Sequence, residues 1–129
     1  MAKLARPSLA DHLRNVSPAV RLTVVAARRT VKAAAPNAKE IAYRSSPPRS
    51  SRAMWKLARY AKDDVNVLAI GTFPRHATIF FYRGRELDDG SGLLQGSGKD
   101  LRFITLYTPA DAERPAVKQI VRRAFALVT

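Results

Sequence analysis

The stretch between residues 54 and 107 most constrains the fold of this chain. Segments 65–73, 77–83 and 101–107 are rich in β-branched and aromatic residues and read as strands. Only Asp63-Asp64 precedes the first of them, and only Pro74-Arg75-His76 separates it from the second. Turns this short join antiparallel neighbours, because a parallel pair needs a crossover of a dozen or more residues. Segment 54–60 is ambiguous, since Met54, Leu57 and Ala61 would also suit one face of a helix. If it is a strand, it completes an antiparallel meander.

Helix signals flank this block. Ser8, with Asp11 three residues on, resembles a capping box. Ser17 followed by Pro18 predicts an N-cap and a first helical position, with a helix from about 18 to 34 that stops before Pro36. Its apolar face is Val20, Val24, Ala27 and Val31, while Arg21, Arg28 and Lys32 form a basic stripe elsewhere. A closing helix starts near Pro115 and places Val117, Ile120, Val121, Ala124, Phe125 and Val128 inward. Segment 44–53 is loop by composition, and 84–100 is a glycine-rich connection with room for a helical turn near Leu93-Leu94.

Composition narrows the class. A chain of 129 residues suits one domain, and 47% hydrophobic residues suits a globular one. No apolar run approaches the roughly 20 residues of a membrane span, and the first seven residues lack an apolar leader region, so the expectation is a cytoplasmic protein without a membrane partner. Zero cysteines exclude disulfides, thiol catalysis and Cys-ligated metal. The net charge of +13 is uneven: residues 1–62 carry +12, with only Asp11 and Glu40 acidic, and residues 63–129 carry +1. Such a half attracts anions, whether small molecules or nucleic-acid phosphates, although an Arg-rich surface can also be solvated and bind nothing in particular.

Gly96-Ser97-Gly98-Lys99 invites comparison with a phosphate-binding P-loop, but Gly92 to Gly98 is one residue too long, Asp100 replaces the Ser or Thr, and a strand follows where a helix is needed. A tight turn into the next strand is the simpler reading. No Ser-His-Asp order, reactive Cys or neighbouring His–carboxylate pair suggests catalysis, so no catalytic residue is assigned. The carboxylates Asp63, Asp64, Asp111 and Glu113 read as exposed turn residues, and His12 and His76 lie in different segments.

Three segments recur in a familiar order: Pro36-Asn37-Ala38-Lys39-Glu40-Ile41-Ala42-Tyr43, then Arg75-His76 to Arg83-Gly84, then Glu86-Leu87-Asp88-Asp89 through Gly96-Ser97-Gly98-Lys99 to Phe103. In this the chain resembles the YdhG-like domain family of unknown function, which includes bacterial frataxin-like iron chaperones. The resemblance implies a single compact α+β domain over 1–129, with a core at about 10–128 and residues 1–7 flexible. It implies a curved antiparallel sheet of about four strands, with helices from both chain ends on one face and 54–60 as a strand. It also implies iron as the one conceivable cofactor, with Glu86, Asp88 and Asp89 as candidate ligands. None of these is spaced as a chelating motif, and a chain at +13 repels cations. Arg44 stands where the family usually has Gly, and the Ser/Pro loop at 45–53 is longer than usual. Both bring cations near Tyr43.

The expectation is therefore a non-enzymatic module that binds an anionic small molecule or nucleic-acid phosphates, with an iron chaperone as the alternative. Its candidate residues lie at strand ends and adjoining loops: Tyr43, Arg44, Trp55, His76, Arg83, Lys99 and Arg102. Aromatic rings beside guanidinium groups suit a planar or anionic ligand. The oligomeric state stays open.

Overall fold

The computed structural model describes residues 7–88 and 90–128 of the chain. Helices α1 (Leu9–Leu13) and α2 (Pro18–Ala34) lead into strands β1 (Lys39–Ala42), β2 (Trp55–Lys62), β3 (Val65–Phe73) and β4 (His76–Phe81). A 3₁₀ turn (Gly84–Leu87), strand β5 (Arg102–Leu106) and helices α3 (Pro109–Ala112) and α4 (Pro115–Ala126) follow. The five strands form one sheet in chain order, every neighbouring pair antiparallel. The result is a single compact α+β domain.

The turns explain the topology. Asp63 and Asp64 both take positive φ, 51° and 64°, and join Lys62 to its partner Val65 in a two-residue hairpin. That conformation matches the twist of the flanking strands, and Asp tolerates it better than most residues. Phe73 pairs with His76, so the next turn has two residues, Pro74 and Arg75, and His76 belongs to β4. Segment 54–60 falls in β2, within its Trp55–Lys62 span apart from Met54.

The expected antiparallel sheet of about four strands is present with a fifth at its edge, because the Lys39–Ala42 segment pairs with β2, Glu40 opposite Tyr60 and Ala42 opposite Ala58. Two local expectations need correction. The helical turn in the glycine-rich connection lies at Gly84–Leu87, not near Leu93-Leu94, where Gly90 and Gly92 take φ of 80° and 82° and break any helix. Ser17 makes no side-chain cap: its carbonyl already receives the Val20 and Arg21 amides, and Pro18 has no N–H. Ser8 and Asp11 do form the reciprocal box, at 2.8 and 3.1 Å, and Thr108 with Asp111 forms another that starts α3.

One face of the sheet carries the core. Tyr60 of β2, Leu68 and Ile70 of β3, Ala77, Ile79 and Phe81 of β4, and Ile104 and Leu106 of β5 form one cluster with Leu9, Val20, Val24, Val31, Val117, Ile120 and Val121 from the helices. Registers Leu68 to Phe81, Ile70 to Ile79 and Ile79 to Ile104 put these strand residues in rows. Each fully buried side chain of this kind contributes roughly 1.5–3 kcal/mol. Ala69 and Phe80 are buried too, yet belong to no part of that cluster, because they point to the other face.

Candidate functional site

The sheet face away from the helices holds a groove of about 270 Å³. Met54, Phe73, Phe80, Leu101 and Phe103 supply its apolar lining, and Thr78, Thr105 and His76 its polar atoms. The registers Gly71 to Thr78, Thr78 to Thr105 and Phe80 to Phe103 carry it across β3, β4 and β5. Gly71 makes room there: a Cβ would lie 2.6 Å from the Met54 sulfur, so its absence lets Met54 lie flat on β3. Leu101 and Tyr107, at the ends of β5, are 44% and 65% exposed.

Cations border this groove. The Lys56 ammonium sits 5.8 Å from the centre of the Phe80 ring and 5.9 Å from that of Tyr43, and the Arg59 guanidinium 5.6 Å from Tyr43. Both are within the range of attraction to an aromatic face. The Tyr43 and Tyr82 hydroxyls share a hydrogen bond of 2.9 Å, and Tyr82 packs edge-on against Phe80. Burial, and then the bond to Tyr43, push the Tyr82 phenol well above its ordinary pKa of 10.0, so it stays a neutral hydrogen-bonding group. His76 stacks on Phe73 at 4.7 Å and lies 5.5 Å from the Tyr107 ring; its burial lowers its pKa below 6.5 and favours the neutral ring.

The charge distribution is lopsided. Glu40 is the single carboxylate in all five strands. It lies on the helix side, where Arg28 of α2 donates to it twice, at 2.8 and 2.9 Å, and the Tyr60 hydroxyl donates a third bond. Burial raises the pKa of Glu40, but the bonds from Arg28 and Tyr60 outweigh it and hold the carboxyl below its ordinary 4.5. No strand carboxylate is therefore left to answer Lys56 or Arg59 on the open face.

The residues expected from sequence to form one site are dispersed. Tyr43 and His76 reach the open face. Trp55 points to the helix side, 5% exposed, edge-on to His12 at 5.2 Å, with its indole N–H donating to Ser45. His12 itself donates from Nε2 to the Tyr43 carbonyl at 2.6 Å, since a carbonyl can only accept. Trp55 is thus an anchor that ties α1 and the following loop to β2. Arg44 is exposed in that loop and Lys99 in the one before β5. Arg83 grips Glu86 at 2.6 and 2.7 Å and reaches the Leu127 carbonyl, while Arg102 donates to the Gly98 and Leu101 carbonyls.

The carboxylates are equally occupied. Glu86 is held by Arg83, which pulls its pKa down, and Asp88 accepts from the Gly90 amide. Asp89 lies outside the described residues. Among the described residues no three His, Cys, Asp or Glu side chains converge as metal ligands would. The basic stripe of α2 is partly internal as well: Arg21 donates to the Leu13 and Val16 carbonyls, and Arg28 is bound to Glu40. Lys32 remains on the outer surface with Arg29.

Sequence reasoning missed Lys56, Arg59, Phe80, Tyr82 and Phe103. A signal was present. An antiparallel strand with one wet face should alternate apolar and polar residues, yet His76–Phe81 runs Ala-Thr-Ile-Phe-Phe after its histidine, with phenylalanine on both faces. Comparison of the chain with protein-family models, with curated proteins and with solved structures gives no match.

Proposed function

We propose that this chain is a non-enzymatic binding module that takes an anionic small molecule on the open face of its sheet. The observation that carries this reading is the pairing of a 270 Å³ apolar groove with the unanswered cations Lys56 and Arg59 on a face whose strands hold no carboxylate. Ligand sites are commonly apolar concavities with a few polar groups that fix orientation, and this one lies just below the usual 300–1,000 Å³. A small molecule suits it better than a nucleic-acid backbone. Several cations of the basic half are turned inward, and Trp55, the ring best suited to stack a base, is covered by α1.

The test is a titration of the protein with benzoate, followed by amide chemical shifts. Saturable changes should cluster at Met54, Thr78, Phe80 and Phe103, and changing Lys56 and Arg59 together to Ala should weaken binding at least tenfold. Arg49→Ala should leave it unchanged, since Arg49 lines another hollow, between the Asn15–Ser17 connection and the Pro47–Pro48 loop, and does not line the groove. Equal losses from Arg49→Ala would overturn the reading in favour of diffuse charge. Single-stranded DNA, titrated in parallel, should bind weakly; tight binding, with log K falling by about 0.7 per phosphate per unit log salt, would favour nucleic acid instead.

A further inference from the structure

We infer that the ligand of the open face is a small amphiphile, with one carboxylate at Lys56 and an apolar tail laid across the sheet toward Phe103. The inference rests on the anion-binding reading above and names the ligand class. Three observations carry it.

The first is the contrast between lining and rim. The lining is largely hydrocarbon and aromatic carbon, which a phosphate or other fully hydrated anion cannot use. The ammonium of Lys56 stands at one side of it, against the Phe80 ring that also lines it. A ligand that satisfies both must be apolar over most of its length and charged at one end.

The second is the count of donors. Among the described residues Lys56 makes no ion pair, and Arg59 shares the Tyr43 ring with it but, unlike Lys56, sits against no ring that lines the groove. A dianionic phosphate is ordinarily met by several donors, from Arg forks or successive backbone amides. One nearby ammonium suits a monoanion.

The third is shape. The lining residues run from Met54, lying over Gly71, and Phe73 of β3 across Thr78 and Phe80 of β4 to Phe103 and Thr105 of β5. Two interstrand steps, from β3 to β5, span roughly 10 Å. The two threonines keep the floor low between the walls made by Met54, Phe80 and Phe103. A linear or flat tail fits that channel.

Calorimetric titration of the whole chain with the straight-chain carboxylates from hexanoate to dodecanoate, and with the alcohols of equal length, tests this. Affinity should rise up to about fourfold per added methylene, the ratio for one buried CH₂, and level off once the channel is full. Lys56→Met keeps the apolar stem and removes the charge; it should weaken each carboxylate about tenfold and each alcohol less than twofold. Thr105→Tyr should fill the channel and abolish the length dependence. Should that variant unfold, Leu101→Asn, at a half-exposed position, should lower the affinity for decanoate more than that for benzoate.

Affinity that does not change with chain length, while benzoate or phosphate still binds at Lys56, would overturn the amphiphile and leave the anion reading intact. No binding by any of these probes would overturn both. Concentration-dependent dimerisation that Leu101→Asn reverses would show the groove to be covered by a second copy of the chain, and would also overturn the inference.

Discussion

The two faces of the sheet are built from the same strands and treat polar groups differently. On the helix face the one strand carboxylate, Glu40, is met by three hydrogen bonds from Arg28 and Tyr60, and the rings and aliphatic groups around it are sealed beneath α2 and α4. On the open face, among the described residues, Lys56 and Arg59 have aromatic faces as side-chain partners and no ion pair, and apolar residues line a channel that no described helix lines. Charge on the first face therefore serves the fold. Charge on the second is available to something else.

The comparison breaks most visibly at the core. Phe81→Ala, which empties a fully buried site on the helix face, should cost about 3–5 kcal/mol in urea unfolding. A cost near that of Thr105→Ala on the open face would mean that the faces are equivalent and the assignment of sides is wrong.

Glu40→Gln comes next. It weakens the bonds from Arg28 and Tyr60 and should cost about 1–3 kcal/mol at neutral pH. The folded-state pKa of Glu40 is below its ordinary 4.5, so this carboxylate stabilises the fold above that value and the contribution fades as pH falls through the folded pKa. The difference between wild type and the Gln variant should accordingly shrink below about pH 4.5. A difference that stays constant down to pH 2 would remove the charge from the argument.

Gly71→Ala should be milder, about 1 kcal/mol, because the atom it meets is the flexible end of Met54. Its larger effect should be on the groove, where the displaced Met54 obstructs the floor and weakens benzoate binding. Lys56→Met is expected to change stability least, within about 0.5 kcal/mol, while reducing carboxylate binding. If it destabilised the fold as strongly as Glu40→Gln, Lys56 would have to be counted as structural.

Much of the fold is legible along the chain. Pro18 and Pro115 mark the two long helices, their inward faces follow from helical spacing, and the two short turns after residues 62 and 73 dictate antiparallel neighbours. What escapes is β1: four residues, of which Ile41 alone favours a strand, that pair because β2 offers them an open edge. Propensity is a weak guide for so short a segment, since its strand character comes from the partner. The site is less legible for a related reason. Residues at strand ends and in loops look accessible in sequence, but Arg83, Arg102 and Trp55 use their polar groups on neighbouring backbone or side chains.

Sequence alone determined the order of elements, the antiparallel turns, the core face of each long helix and the absence of any thiol chemistry, because these depend on neighbours within a few residues or on composition. Tertiary structure decided which cations are occupied and which are not. Arg28 and Lys56 are equally charged in the sequence. One meets Glu40, twelve residues away, and the other meets the ring of Phe80 across the sheet. A side chain's partner depends on which elements pack against it and on which face its backbone turns it toward, and the register of β2 against β3, with a bulge after Lys56, fixed that for Lys56.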